Sequence, residues 1–317
     1  MCKMVEIIFL GSGGSIPTEE RRHPAILLRH EAYNILLDAG ESVQMRMEPY
    51  GINRKMAIFC SHIHPDHTLG IAGLLLRFSL LGRLKPLDIF GPKDLIPWVQ
   101  MAQNSIHLGT TFPTTVYGIE GGYEWTQGNA TVRSFEVSHK GMALGYEFSS
   151  ARPTGKFLPE RAKELEIPKG TLWGKLAAGE TVTLEDGTEV EPQDVTLPPE
   201  KGIRVVYSGD TRPCDNVRTA AKGADVLIHE AMYTEEHAKL ADERGHSTAR
   251  QAAEIAADAR TRLLVLTHYS PRYENGNKIL QEAKELFENV IVARDLMHIT
   301  LSYKGDLQVS YHDELAK

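Results

Sequence analysis

The sequence is poor in cysteine. Its three cysteines, Cys2, Cys60 and Cys214, lie far apart in 317 residues and form no C-x-x-C pair. That excludes a disulfide framework and a cysteine-based zinc site, and it fits a reducing compartment. Cys60 closes an apolar run and reads as a small core filler. Long hydrophobic runs are missing as well. No segment reaches the roughly 18 uninterrupted apolar residues of a membrane span, so no membrane partner is expected. The start, Met1-Cys2-Lys3-Met4-Val5-Glu6, leads straight into a strand-like run, and no secretory leader is expected, which points to a cytoplasmic location. Short-period repeats and low-complexity tracts are absent. Positive charge is in deficit: 35 Lys and Arg stand against 42 Asp and Glu, a net −7. An acidic total leaves nucleic acid open as a partner, because phosphates meet the local field rather than the sum.

What is present is a chain of ordinary globular composition, 42% hydrophobic, long enough for one large α/β domain or two small ones. Glu6 to Leu10 reads as a strand, followed by the loop Gly11-Ser12-Gly13-Gly14-Ser15. That loop does not complete G-x-G-x-x-G, and Pro17 soon follows, so it is not read as a dinucleotide cradle. Residues 25–29 and 33–37 form a hairpin pattern, 68–81 a helix, and 87–90 and 131–137 strands, with a helix near 93–103. The character changes from about 150 to 200, which is charged and punctuated by Pro and Gly around a short helix at 159–165. Strand and helix patterns resume at 203–208, 225–228, 247–259 and 262–267.

The most informative stretch is His62-Ile63-His64-Pro65-Asp66-His67, directly after the apolar run 56–61. Alternate residues of an extended segment face the same way, so His62 and His64 can meet one metal ion. Asp66 and His67, where the chain turns into a helix, can face a second ion. Imidazole and carboxylate together suit zinc. Further candidates stand just past apolar strands: His139, Asp210 and His268. Ends of strands are where α/β sheets build their sites.

These residues make the chain resemble the metallo-β-lactamase superfamily, and further pieces make it resemble the tRNase Z (ribonuclease Z) family. The pieces are residues 9–18, Leu37-Asp38-Ala39-Gly40-Glu41, Gly145-Tyr146 and Pro168 to Leu176. They continue with Tyr207 to Pro213, His229-Glu230-Ala231, Gly245-His246-Ser247-Thr248 and Thr267 to Tyr273. Departures from the family pattern are Met232 after His-Glu-Ala, Thr171 after Gly170, Ser42-Val43 after Glu41, and His23 after Arg22.

The resemblance implies a four-layer αββα sandwich, one catalytic domain over 1–317 with an inserted tRNA-binding arm (exosite) at 150–177. It implies two zinc ions per chain: one on His62, His64 and His139, the other on Asp66, His67 and His268, with Asp210 bridging. Asp66 would also take a proton from the attacking water. His246, oriented by Glu230, would protonate the leaving oxygen. Ser247 or Thr248 would cap the following helix. Asp38 is a candidate for orienting the ligating histidines. The expected reaction is endonucleolytic removal of the 3′ trailer from precursor tRNA, leaving a 3′-hydroxyl on the tRNA and a 5′-phosphate on the trailer. A homodimer is expected, one subunit's arm helping to hold the tRNA cut by the other.

Two basic groups are candidates for RNA contact: Arg77, Arg83, Lys85 and Lys93 after the metal motif, and Lys156, Arg161, Lys163, Lys169 and Lys175 in the arm. Arg272, Lys169 and Lys175 are the expected substrate-binding residues, and Trp173 is expected to pack at the tip or base of the arm. His23, His30, His107, His237, His298 and His312 lack a ligand context and read as structural or surface residues. The competing readings are a small-molecule phosphodiesterase or arylsulfatase-like hydrolase on the same core, and a non-catalytic RNA-binding scaffold. The first is disfavoured by the arm, the second by the complete ligand set.

Overall fold

A computed structural model describes residues 4–105, 109–150, 154–198 and 202–311. Cys2, His107 and His312 lie outside them. The chain first lays down β1 (Met4–Gly11), β2 (Ala25–His30), β3 (Tyr33–Leu37), β4 (Lys55–Phe59), β5 (Leu87–Gly91) and β6 (Thr114–Gly118). It moves to a second sheet with β7 (Glu124–Gln127), β8 (Ala130–Glu136) and β9 (Leu144–Ser150). An excursion carries the two-residue strands β10 (Val182–Thr183) and β11 (Glu189–Val190). The second sheet then takes β12 (Ile203–Tyr207), β13 (Val226–Glu230), β14 (Leu263–Thr267) and β15 (Val290–Val292). The chain finally crosses back with β16 (Met297–Ser302) and β17 (Leu307–Tyr311). The sheets run β17-β16-β1-β2-β3-β4-β5-β6 and β15-β14-β13-β12-β9-β8-β7.

Alternation along the strands explains the four layers. On β1, Ile7 and Phe9 point to a central core shared with Tyr146, Phe148, Val205, Ile228 and Val265 of the other sheet. Ile8 and Leu10 point outward, against Ile71, Leu74, Leu75 and Phe78 of the helix Gly70–Leu80. On the opposite outer face, Val206, Leu227, Leu264 and Leu266 pack against Ala252, Ala253, Ile255 and Ala256 of the helix Ala249–Ala259. Strands covered on both faces read as nearly continuous apolar runs, which is how β4, β12 and β14 look in the sequence. The arrangement is the αββα sandwich that the sequence leads one to expect.

In each sheet one half is parallel: β3-β4-β5-β6, and β12-β13-β14-β15. Parallel strands deliver their C-terminal ends to one edge. Asp38, the His62–His67 segment, Asp210, Glu230 and His268 all stand at those ends.

The excursion between β9 and β12 extends past the expected 150–177. Its helices Pro159–Glu164 and Thr171–Ala178 enclose a small core in which Ala162, Ile167 and Leu176 meet Val182, Val190 and Val195. Its two stems pair with each other, Gly155 N donating to Leu197 O and Leu158 N to Val195 O. Trp173 is half-buried, donating from Nε1 to Ile167 O at 3.0 Å, with its ring 5.3 Å from that of Phe157.

The basic group after the metal motif is less available than its sequence suggests. Arg83 is buried, its guanidinium bonded to the carbonyls of Ile52, Arg54 and Pro86. Burial lowers its pKa to about 10. Arg77 pairs with Glu48, and Lys93 with Glu120.

Candidate metal centre

β4 ends at Phe59, the chain bends at Ser61, and His62 to His64 lead to Pro65, which opens the short helix Pro65–Thr68 carrying Asp66 and His67. Proline suits a first helical position because its missing N–H would have had no partner there. Ligand-type atoms of His62, His64, His139 and Asp210 lie within 4.8 Å of one another, and those of Asp66, His67 and His268 do likewise. Asp210 Oδ2 stands between the two groups, 3.9 Å from His62 Nε2 and 3.4 Å from both His67 Nε2 and His268 Nε2. All seven expected ligands are therefore brought together.

Three of the imidazoles, those of His62, His67 and His139, are aimed by a bond at the far side of the ring. Asp38 is the hub. Its carboxylate accepts from His67 Nδ1 (2.7 Å), Ser61 N (2.6 Å), Ser61 Oγ (2.8 Å) and Tyr207 Oη (2.6 Å). Ser61 Oγ donates to Asp38 and so accepts from His62 Nδ1, 3.0 Å away. His139 Nδ1 donates to Gly245 O at 2.7 Å. These bonds leave Nε2 of His62, His67 and His139 facing the cluster, the role of partners behind metal ligands. Two strand-end residues here take left-handed backbone, Asp38 (φ 58) and His268 (φ 57). Such conformations are uncommon outside glycine and concentrate at functional sites. Gly209 (φ 60) is needed before Asp210, since a Cβ there would stand 2.9 Å from Ser61 Cβ.

The electrostatics call for positive charge. Burial pushes His62, His64 and His139 below the usual imidazole range, leaving neutral rings. Burial opposes charge on Asp66 and Asp210, but His268 and His67 more than offset it, and both stay carboxylates. Burial also opposes a proton on His67, yet Asp210 and Asp38 hold it well above its ordinary value. Asp210 Oδ1 and His268 Nδ1 are buried with no partner among the described residues. Neutral imidazoles, buried carboxylates and an orphaned carboxylate oxygen converging on one space fit divalent cations.

His246 stands beside this cluster, its Nδ1 2.8 Å from Glu230 Oε1 and 3.9 Å from Asp210 Oδ2. Burial opposes its charge, but the Glu230 carboxylate outweighs it and raises the pKa to about 9. Glu230 ends β13. It is held by backbone N–H groups, Thr211 to Oε1 and Met232 to Oε2, each at 3.0 Å. Thr248 caps the helix Ala249–Ala259 in a capping box with Gln251, fixing the chain just past His246. Arg272 is exposed, its guanidinium 5.4 Å over the Tyr233 ring and its Nε donating to Ser270 Oγ at 3.2 Å. Tyr233 in turn neighbours His246, with centroids 6.2 Å apart. Lys169 and Lys175 are exposed on the excursion, outside the cluster. His23, His30, His237 and His298 bond to Ser15, Ser150, Tyr273 and Tyr50.

Residues 175–269 match a β-lactamase superfamily domain, and residues 5–110 match the anti-Pycsar protein Apyc1 family. The chain is 41% identical to a ribonuclease Z of Gemmatimonas aurantiaca over 303 residues, 94% of this chain and 96% of that one. It is 39% identical to a ribonuclease Z of Methanosarcina mazei over 306 residues, 96% of this chain and all of that one. The chain belongs to the ribonuclease Z family. Among solved structures, the short form of human tRNase Z is 23% identical with a TM-score of 0.66, covering 93% of this chain and 98% of that one. The metallo-β-lactamase fold protein YhfI of Bacillus subtilis is 19% identical with a TM-score of 0.68, covering 97% of this chain and all of that one. Both share the fold. Against the ribonuclease Z pattern, Met232 is buried and reaches Gly14, where a Cβ would lie 3.1 Å from its Cε. Ser61, Tyr207, Thr211 and the Gly245 carbonyl are the supporting residues that sequence reasoning missed. Each acts across the fold, with no local pattern to announce it.

Proposed function

We infer that this member of the ribonuclease Z family is the endoribonuclease that removes the 3′ trailer from precursor tRNA. The observation that carries the reading is the seven-residue donor set beside a His246–Glu230 pair, in a chain matched over nearly its whole length by ribonucleases Z. His62, His64 and His139 would hold one cation, and Asp66, His67 and His268 a second, with Asp210 between them. The imidazole and carboxylate donors suit zinc, two ions per chain. When bound, such ions supply Lewis acidity toward the phosphate and toward attacking water. Asp66 accepts the proton of that water. His246, kept protonated by Glu230, donates to the departing O3′. The tRNA leaves with a 3′-hydroxyl and the trailer with a 5′-phosphate. Arg272 meets a phosphate near the cut, and Lys169 and Lys175 on the excursion meet the RNA backbone further away.

The homodimer has a candidate face. Leu69, Leu76 and Leu80 share one side of the helix Gly70–Leu80, 46, 48 and 78% exposed, and Leu84 beyond it is 76% exposed. A stripe of this kind on a soluble protein marks a contact surface. Light scattering at micromolar concentration reads the assembly, and a monomer with full tRNA processing removes it. A cytoplasmic site of action fits this substrate. Among the described residues, no helix is long and apolar enough to cross a membrane. The deciding experiment is incubation with precursor tRNA and mapping of both product ends. A 3′-phosphate on the tRNA, or no cleavage by zinc-loaded protein, rejects the reading.

A further inference from the structure

We propose that Asp295 is the positioning residue for His268, and through it for the cation assigned to Asp66, His67 and His268. The inference rests on that assignment.

Asp295 lies in the crossover between β15 and β16, where the chain passes from one sheet to the other. It is nearly buried, with a side chain 5% exposed, and it pairs with the equally buried Arg46, whose Nη1 donates to Asp295 Oδ2 at 2.6 Å. Each carboxylate oxygen has two donors. Oδ1 accepts from Ser12 N at 2.8 Å and Ser12 Oγ at 2.7 Å. Oδ2 accepts from Arg46 and from Arg22 N at 2.8 Å. Ser12 and Arg22 are the two stems of the loop that follows β1, so one carboxylate clamps both.

The loop passes that constraint to the metal centre. Ser12 O accepts from His268 N at 3.0 Å and from Thr267 Oγ1 at 3.3 Å. Gly13 makes a bridge to Tyr269, and Arg21 donates to Tyr269 O at 2.8 Å. The peptide of His268 is thus gripped on both sides by a loop that Asp295 holds in place. His268 needs such a grip, because its backbone sits at φ 57, off the ordinary strand conformation. Its ring gains no aim at the far side, since Nδ1 has no partner among the described residues, unlike His62, His67 and His139. The side chain is therefore directed from its backbone, and the backbone from Asp295. Arg46 sits on the helix Val43–Arg46, which packs against the helix following His67, so the same carboxylate ties the two halves of the cleft together.

The isosteric Asp295→Asn keeps the volume but turns one acceptor into a donor facing N–H groups. Zinc release from the purified holoenzyme is followed against graded concentrations of a chromogenic chelator. One ion should leave Asp295→Asn at roughly 10- to 100-fold lower chelator, the usual effect of losing a bond behind a ligand. The other should leave as in the wild type. Ser12→Ala, which removes one bond and no charge, should shift the same ion in the same direction by less. Arg204→Ala, breaking an ion pair with Glu147 remote from the cleft, controls for lost stability and should leave both release steps unchanged. A wild-type release profile in Asp295→Asn overturns the proposal. So does parallel loss of both ions. If Asp295→Asn does not fold, Ser12→Ala decides by the same criterion. A wild-type protein that binds no pair of ions defeats the two-cation reading instead.

Discussion

In the cleft, a single buried carboxylate, Asp38, accepts four hydrogen bonds from residues as far apart in sequence as Ser61 and Tyr207. In the excursion from 154 to 198, the ion pairs join residues three apart on one short helix, Arg161 with Glu164 and Lys163 with Glu160, all exposed. The cleft is organised by long-range bonds among buried groups, where the dielectric is low and each partner fixes the next. The excursion is organised by its own small core and by surface pairs that water and salt screen. The two regions should respond differently to damage. Loss in the cleft should be large, chemical and weakly dependent on salt. Loss in the excursion should be smaller, confined to RNA binding and steeply dependent on salt.

The sharpest contrast comes from Asp210→Ala. It removes a carboxylate that faces both histidine groups. At least one ion should be lost and hydrolysis all but abolished, on tRNA and on a small phosphodiester alike. Metal analysis beside both assays checks this, and a fully active variant ends the two-ion account. Next in size is His246→Ala. Zinc content should stay normal while cleavage slows by roughly 10²–10⁴-fold, the range for a general acid. The loss should shrink when the leaving group is already acidic, as with nitrophenol. Lost zinc would make His246 a ligand instead.

The same contrast governs what can be read from the sequence. His62 to His67 is legible because one extended segment and one turn fix its geometry within six residues. His139, Asp210 and His268 are legible because each follows an apolar strand. The capping of the helix after His246 is local too, and Thr248 shows it. Asp38 shows only as a candidate for orienting the histidines; its four-bond hub, Tyr207 donating to it, and the Gly245 carbonyl behind His139 do not show, since those bonds span from 23 to 169 positions. Arg83 misleads for the same reason: only folding reveals the carbonyls that enclose it. The outer bounds of the excursion show in the change of character at 150 to 200, but the small core that Val182, Val190 and Val195 join from β10, β11 and the returning stem does not.

Excising the whole excursion tests its independence. Because Gly155 and Leu197 already lie side by side, a short linker can join the stems. Zinc binding and turnover of a small phosphodiester should survive. Binding of precursor tRNA should weaken sharply, and the slope of log affinity against log salt should flatten by about 0.9 for each phosphate contact removed. Unchanged tRNA cleavage would return a small-molecule hydrolase to first place.

The smallest expected effect separates two lysines within the excursion. Lys163 is paired with Glu160, so its charge is already partly spent, and a phosphate would have to compete for it. Lys175 is exposed on the helix Thr171–Ala178 and has no acidic partner among the described residues. Lys175→Ala should therefore weaken precursor tRNA binding by about 2- to 5-fold, the worth of one exposed charge contact. It should flatten the salt slope by about one unit. Lys163→Ala should do less on both counts, and neither should alter turnover of a small phosphodiester. Filter binding across a salt series measures all three. Equal effects from the two lysines would mean that the excursion offers RNA a diffuse field rather than particular contacts, and the contrast with the cleft would then be one of distance from the chemistry alone.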